Sequence, residues 1–532
     1  MSNEQILDIS VVIVYIIGIT ILGIWVGLRK SKNPESYFLG GRSFGWMLVG
    51  FSIFATNIGM GFFVAWTGKA ARSGFATLNP ELLGGVMLTI SAIVFIPLYL
   101  RSRLFTIPQF LELRFNRTAK TLFGGIFVCQ SILGSPIGMY TAALGVLGLF
   151  GWDLSPTNVV LCGIIIACTV GLYAIFGGLT SVVVTDMVQV FIMLAGGILV
   201  AGVGLWKVGG IGELYTQLPD HFELLRPHSD AEFPWSAVMT GQMLHSAFFA
   251  FCSIAVLQRA LGAKDAYNAK CGMLFGAYLK LFGIVLFVIP GLVGVILYKD
   301  IPNQDMLYTT MVRDFLPAGL SGLVLAGMIA AMMSSQDSGI NAMSAVVAMD
   351  IYPLFRKNAS NAEAIWVGKG FAALNIIWGI AAAPLFLTMN NALFDLGMTV
   401  AGFMVIPSGV CFLFGRFSNR ANSYGAVTTL ILGLLIGLYY VLAKNFPAAG
   451  VPIPDAVRSM HFYHVFPLVF LLLTAVFFGV SYLTPPPAPE KLEVIRPMVQ
   501  EIETGPRRPL LRSFNFWWIL YLAIVVGLYV FI

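Results

Sequence analysis

Apolar residues in this chain run in long blocks. They do not alternate as in a half-buried strand, nor form the narrow stripe of a water-soluble helix. Fourteen blocks approach or reach the length needed to cross a bilayer: 8–28, 45–68, 77–100, 121–150, 158–178, 187–206, 236–257, 271–298, 318–349, 370–390, 393–415, 424–443, 465–484 and 514–532. A crossing helix takes about 20 apolar residues. A segment in lipid must satisfy its own backbone polar groups, so each block is expected to be helical. The pattern predicts an all-α polytopic membrane protein of about 14 transmembrane helices. Residues 485–513 differ: they open Pro-Pro-Pro-Ala-Pro, mix both charges, and read as an inner-side linker to a last helix.

Composition supports a chain dissolved in lipid. It is 58% hydrophobic and 11% charged, where a soluble domain carries about 25% charged residues. The formal net charge of +6 suggests nucleic acid until the cations are mapped. With the N-terminus outside, the inner loops collect Arg29, Lys30, Lys32 and Arg42, then Arg101, Arg103, Arg114, Arg117 and Lys120, then Arg259, Lys264 and Lys270. The outer loops hold far fewer. This asymmetry places both termini outside and leaves no role for nucleic acid.

The sequons at Asn116 and Asn358 both fall inside, and a bacterial inner membrane is the expected location. Met1 to Asp8 has no Lys or Arg, so the first block reads as a retained span rather than a cleaved signal. The six cysteines lie in apolar blocks, and the five histidines, His461 and His464 among them, show no metal-type spacing. The expected partners are the bilayer and a small-molecule solute, for a monomer or weak oligomer.

Polar residues inside such blocks mark function. In the second block, Ala55-Thr56-Asn57-Ile58-Gly59-Met60-Gly61 weakens the helix. An unwound turn there frees carbonyls for a hard cation; close packing through small residues is the alternative. In the ninth block, Ser334, Asp337, Ser338, Asn341 and Ser344 share one helical face. Ala331, Ser334 and Ser335 lie within one turn and offer a carbonyl and two hydroxyls, half of a sodium shell; interhelical polar glue is the alternative. Third, Glu81 and Lys280 are charges within apolar blocks. Left uncompensated, each costs roughly 2.5–3.5 kcal/mol, so each needs a partner or a wet cavity. Asp186 opens the sixth block, where it could cap a helix or carry a cation.

From Tyr37-Phe38-Leu39-Gly40-Gly41-Arg42-Ser43 to about Gly425, the chain resembles the sodium/solute symporter family, which includes the sodium–glucose cotransporters. The matching stretches include Ala55-Thr56-Asn57-Ile58-Gly59, Thr106-Ile107-Pro108-Gln109-Phe110, Tyr173-Ala174-Ile175-Phe176-Gly177-Gly178-Leu179, Thr185-Asp186-Met187-Val188-Gln189, Gln258-Arg259 and Met333-Ser334-Ser335, leading to Met349-Asp350-Ile351-Tyr352.

The resemblance implies a leucine-transporter-like core of 5+5 inverted repeats with flanking helices. It divides the chain into an N-terminal flanking helix and inner loop (1–44), a first repeat with outer loop (45–235), a second repeat (236–423) and C-terminal flanking helices (424–532). It implies sodium ligation by the carbonyls of Ala55, Ile58 and Ala331 and the hydroxyls of Ser334 and Ser335. In some members a second sodium sits near the position of Asp186.

It implies a solute site at Glu81 and Lys280, with Phe62, Asn57 and Ser253 nearby. Family sugar transporters keep the Glu and Lys. They differ at Phe62, where they have Gln or His, at Leu82, where they have Trp, and at Ser253, Ala255 and Met398, where they have Asn, Tyr and Gln. A sugar derivative, polyol or small organic acid is therefore expected as readily as a hexose. Two other transport readings remain: a proton-coupled carrier using Asp337 or Glu81, and a passive carrier. Ser334, Asp337 and Asn341 share a face, but their helix holds no His or Lys base, so no enzyme and no organic cofactor is expected.

Overall fold

The computed structural model describes residues 3–30, 33–299, 301, 304–388, 393–445, 450–495 and 509–532. Residues 496–508 of the expected linker and 389–390 of the tenth expected span lie outside these.

The long helices are α1 (Asn3–Lys30), α2 (Trp46–Asn57), α3 (Ala65–Ser73), α4 (Asn79–Val94), α5 (Arg117–Phe150) and α6 (Pro156–Val208). They continue with α7 (Met243–Cys252), α8 (Ile254–Leu261), α9 (Ala266–Lys280), α10 (Ile289–Leu297) and α11 (Leu320–Val346). Last come α12 (Asn361–Ala382), α13 (Leu393–Phe417), α14 (Ser423–Asn445), α15 (Phe462–Leu483) and α16 (Phe514–Phe531). The described residues contain no strand.

Among the described residues, eleven helices are long and apolar enough to cross a membrane, or twelve with the bent pair α7–α8 as one span. Two of the fourteen expected spans do not stand as separate long helices. The block 45–68 is cut after Asn57, leaving α2 as a short apolar helix. The block 158–178 has no loop after it: it runs into the next block as one helix, α6, bent at Gly178 (φ 62°, ψ −168°). A Cβ there would lie 2.6 Å from the Tyr37 carbonyl oxygen, so glycine alone fits this positive-φ bend.

Two packed groups emerge. In one, α2 lies on α9, and α4 lies on α7 and α9. In the other, α11 and α12 pack with α5 and α6. Small residues bring helices close in the first group. A Cβ on Gly50 of α2 would meet the Gly272 carbonyl oxygen of α9 at 2.8 Å, and one on Gly272 would meet Val49 Cβ at 2.6 Å. Lipid offers no hydrophobic drive between helices, so such close approach is how they gain contact energy. Helices α13, α14 and α15 pack on one another, and α16 lies against α4 and α9.

Candidate functional site

Helix α2 stops where the polar residues predict. Thr56 Oγ1 donates to the Ser52 carbonyl at 2.7 Å, and Asn57 Nδ2 donates to the Ile53 carbonyl at 2.7 Å. Such side-chain bonds compete with the helical ladder. Ile58 and Gly59 are extended (ψ 99° and 176°), and the chain turns helical again at Met60. A helix end leaves carbonyls without ladder partners.

Ala55 illustrates the consequence. Its carbonyl accepts from Ser334 Oγ of α11 at 3.0 Å. The same hydroxyl reaches the Ala331 carbonyl at 3.0 Å, and Ser335 Oγ reaches it at 3.0 Å. A Cβ built on Gly59 would sit 3.1 Å from Ser335 Oγ, so the break lies directly over this pair. Ala55, Ile58, Ala331 and Ser334 are fully buried. Oxygens from the broken helix and from the polar stripe of α11 thus converge between the two packed groups.

The rest of the stripe faces the same way. Ser338 Oγ lies 2.9 Å from Thr56 Oγ1, and Asn341 Oδ1 accepts from Gln258 Nε2 at 3.4 Å. Ser338 also accepts from the Arg259 guanidinium and donates to Asp337 Oδ1 at 3.3 Å. Arg259 is fully buried on α8, which corrects its placement in an inner loop. It also bonds Ser52 Oγ at 3.2 Å, and Ser52 donates to Asp186 Oδ2 at 2.5 Å. Asp186 is likewise fully buried, and it lies inside α6, past the Gly178 bend, so it caps no helix. Its Oδ1 has no hydrogen-bond partner among the described residues.

A second break separates α7 from α8 at Ser253 (φ −61°, ψ 111°), with a 43° bend. Between the two broken helices lies a cavity of about 210 Å³. Asn57, Phe62, Glu81 and Lys280, all expected at the solute site, line it together, and Met398 joins them. Lys280 Nζ donates to Glu81 Oε2 at 2.6 Å, so each buried charge has both a partner and a cavity. Phe62 stacks on Trp66 with ring centroids 5.1 Å apart and planes 7° from parallel, forming an aromatic wall. Ser253 is not among the lining residues; it is buried at the bend itself.

Three polar lining residues were missed: Gln242, His245 and Ser246. Gln242 Nε2 donates to Ser246 Oγ at 3.0 Å, while Gln242 Oε1 and His245 Nε2 have no partner among the described residues. Their i, i+3, i+4 spacing in an apolar block is the signal that marked α11. Applied here, it would have found them.

A larger groove of about 890 Å³ lies elsewhere, between α2, α9 and α16, and contains none of these residues. Its walls mix Trp46, Leu274, Phe275 and Trp517 with Lys264, Asp265, Asn268 and Arg512.

Two helices broken at mid-length, converging oxygens at one break and a cavity with a buried ion pair between them define a secondary transporter. The chain belongs to the sodium:solute symporter family, whose profile matches residues 37–433. It is 29% identical to the mouse sodium/myo-inositol cotransporter over 538 residues, covering 91% of this chain and 74% of that protein. It is 29% identical to mouse sodium/glucose cotransporter 4 over 527 residues, covering 91% and 76%. Among solved structures, a sodium-coupled sialic acid symporter in a substrate-bound outward-open state shares the fold, with a TM-score of 0.77 at 21% identity over 90% of this chain and 98% of the other. Its family makes this chain a sodium-coupled symporter of a small organic solute.

Proposed function

We propose that the chain imports a small polyhydroxylated solute, a cyclic polyol or sugar, together with sodium bound by Ala55, Ile58, Ala331, Ser334 and Ser335. The carrying observation is the Ser334 hydroxyl, 3.0 Å from carbonyl oxygens on both α2 and α11. Two carbonyls and two hydroxyls in a buried space suit a hard, weakly hydrated cation. When sodium enters, the hydroxyls turn their lone pairs to it.

Several features support a neutral solute. The cavity of about 210 Å³ is small beside the roughly 300–1,000 Å³ of drug-sized pockets. Lys280 is already paired with Glu81, which disfavours a carboxylate as its main partner. The Phe62–Trp66 wall suits the C–H face of a saturated ring. The open polar atoms of Gln242 and His245 suit its hydroxyls. The names of the mouse inositol and glucose cotransporters point the same way.

Sodium joins α2 of one packed group to α11 of the other and so favours one arrangement of the two. Solute, bound between the same groups, favours that arrangement too, and the coupling is reciprocal. Moving one charge through about 100 mV supplies about 2.3 kcal/mol, and a tenfold sodium gradient adds about 1.4 kcal/mol. One ion suffices for accumulation of several hundredfold. The lone buried Oδ1 of Asp186 favours a second ion beside Ser52. All these ligands come from one chain, so a monomer suffices, and the cation bias of the loops favours both termini outside.

The test is uptake of radiolabelled myo-inositol and D-glucose into proteoliposomes under an inward sodium or potassium gradient, with melting curves in each salt. Sodium-driven uptake and a sodium-specific rise in melting point, lost in Ser334→Ala, are expected. Uptake that follows pH and ignores sodium would transfer the reading to proton coupling.

A further inference from the structure

The two helices that carry the buried pair, α4 with Glu81 and α9 with Lys280, are held from behind by the last helix of the chain. Three hydrogen bonds fasten it, and a fourth holds the turn just before it. Trp518 Nε1 donates to Thr89 Oγ1 at 3.0 Å, and the Tyr529 hydroxyl donates to Asn79 Oδ1 at 2.6 Å, both on α4. The Tyr278 hydroxyl donates to the Trp517 carbonyl at 2.7 Å, and the Tyr267 hydroxyl to the Arg512 carbonyl at 2.9 Å, both from α9. Asn79 and Thr89 flank Glu81 along α4, and Tyr278 lies two residues before Lys280. The family match ends at residue 433, well before this helix.

Between these fastenings sits Tyr521, fully buried. Its ring packs edge-on against Tyr278 with centroids 5.2 Å apart. Its hydroxyl occupies the space of the side chain that Gly85 lacks: a Cβ on Gly85 would lie 2.0 Å from it. The same hypothetical Cβ would lie 3.5 Å from Ala277 Cβ of α9. The phenol is therefore a knob driven into the seam between α4 and α9, one turn from Glu81. That hydroxyl has no hydrogen-bond partner among the described residues. A buried hydroxyl without a partner is a cost, so the ring's volume, not a bond, is what holds it there.

We propose that Tyr521 is a positioning residue for the solute site: wedged against Gly85, it sets the separation of α4 and α9 and thereby the geometry of the Glu81–Lys280 pair facing the solute. The inference rests on the reading of that cavity as the solute site. The hydroxyl ligands Ser334 and Ser335 lie on α11, in the other packed group, so solute and sodium should separate in the test.

Two measurements decide it. The first is sodium-driven uptake of myo-inositol in proteoliposomes by Tyr521→Ala and Tyr521→Phe. The alanine variant should raise the solute KM several-fold. Its sodium half-activation at saturating solute should not change. The phenylalanine variant keeps the ring against Tyr278 and loses only the hydroxyl over Gly85, so its KM should fall between wild type and the alanine variant. Equal losses in solute and sodium dependence, or no rescue by Phe, would mean that Tyr521 only supports the fold.

The second measurement needs no solute. Melting points of wild type, Tyr521→Ala, Lys280→Met and the double variant form a cycle in detergent. A double variant less destabilised than the sum of the singles is expected, because a slack seam already loosens the pair. Additive shifts would overturn the proposal. If wild type takes up neither probe solute, the solute reading fails and this cycle still decides the wedge.

Discussion

Ser334 and Ala55 meet at 3.0 Å, hydroxyl to carbonyl, across 279 positions of chain. The contact exists because α2 ends at Asn57, just past Ala55, and leaves the Ala55 carbonyl without a ladder donor. Ser334→Ala should therefore remove an ion ligand while leaving the cavity intact. A ligand worth about 1.5–3 kcal/mol corresponds to a rise of about ten- to a hundredfold in half-activating sodium. Solute affinity at saturating sodium should change much less. Sodium-activation curves of uptake check this; equal loss of both would count against the ion site.

Gly59 is a steric prediction. A Cβ there stands 3.1 Å from Ser335 Oγ. Gly59→Ala should push the hydroxyl aside and weaken sodium activation. The added methyl lies beside the ion ligands, so the solute KM at saturating sodium should hold. A variant with unaltered sodium dependence would show that Ser335 is not a ligand.

The pair Glu81–Lys280, 2.6 Å apart and buried, should fail asymmetrically. Lys280→Met strands a carboxylate, at a cost of roughly 3–5 kcal/mol of stability. Adding Glu81→Gln should restore much of the melting point without restoring uptake. Recovery of transport along with stability would reduce the pair to a structural tie.

Gln242 and His245 line the cavity, and each has a buried polar atom without a partner among the described residues. Removing one hydrogen bond worth about 1 kcal/mol corresponds to a rise of about fivefold in solute KM. Gln242→Ala and His245→Ala should show that rise with normal sodium activation. Unchanged KM values in both would move the solute elsewhere in the cavity.

Asp186 offers a stoichiometric test. Its Oδ2 is taken by Ser52, and its Oδ1 is open. Asp186→Asn should lower the number of charges carried per solute from two to one, read as the ratio of current to labelled uptake. An unchanged ratio would leave Asp186 as a counter-charge for Arg259 alone.

The class of this molecule is written in its hydrophobic pattern, because lipid forces every apolar block into a helix regardless of neighbours. The oxygens proposed to hold sodium were legible as a group for a related reason: a polar stripe within an apolar helix has no place to go but inward, and Ser334 and Ser335 lie on it with Ala331. Other features needed the folded chain. Whether Glu81 and Lys280 paired depended on how α4 packs on α9, a contact across 199 positions that no local pattern encodes. The junction of two spans without a loop, at Gly178, was not legible, because a φ of 62° in one glycine leaves hydrophobicity untouched. Arg259 read as a loop cation because its charge said nothing of Ser52 and Ser338, which come from two other helices to hold it. The sequence by itself determined which segments enter the membrane and which polar residues go with them, since those are costs paid segment by segment. Only the tertiary structure decided which of those residues meet, because pairing is set by the packing of helices far apart in the chain.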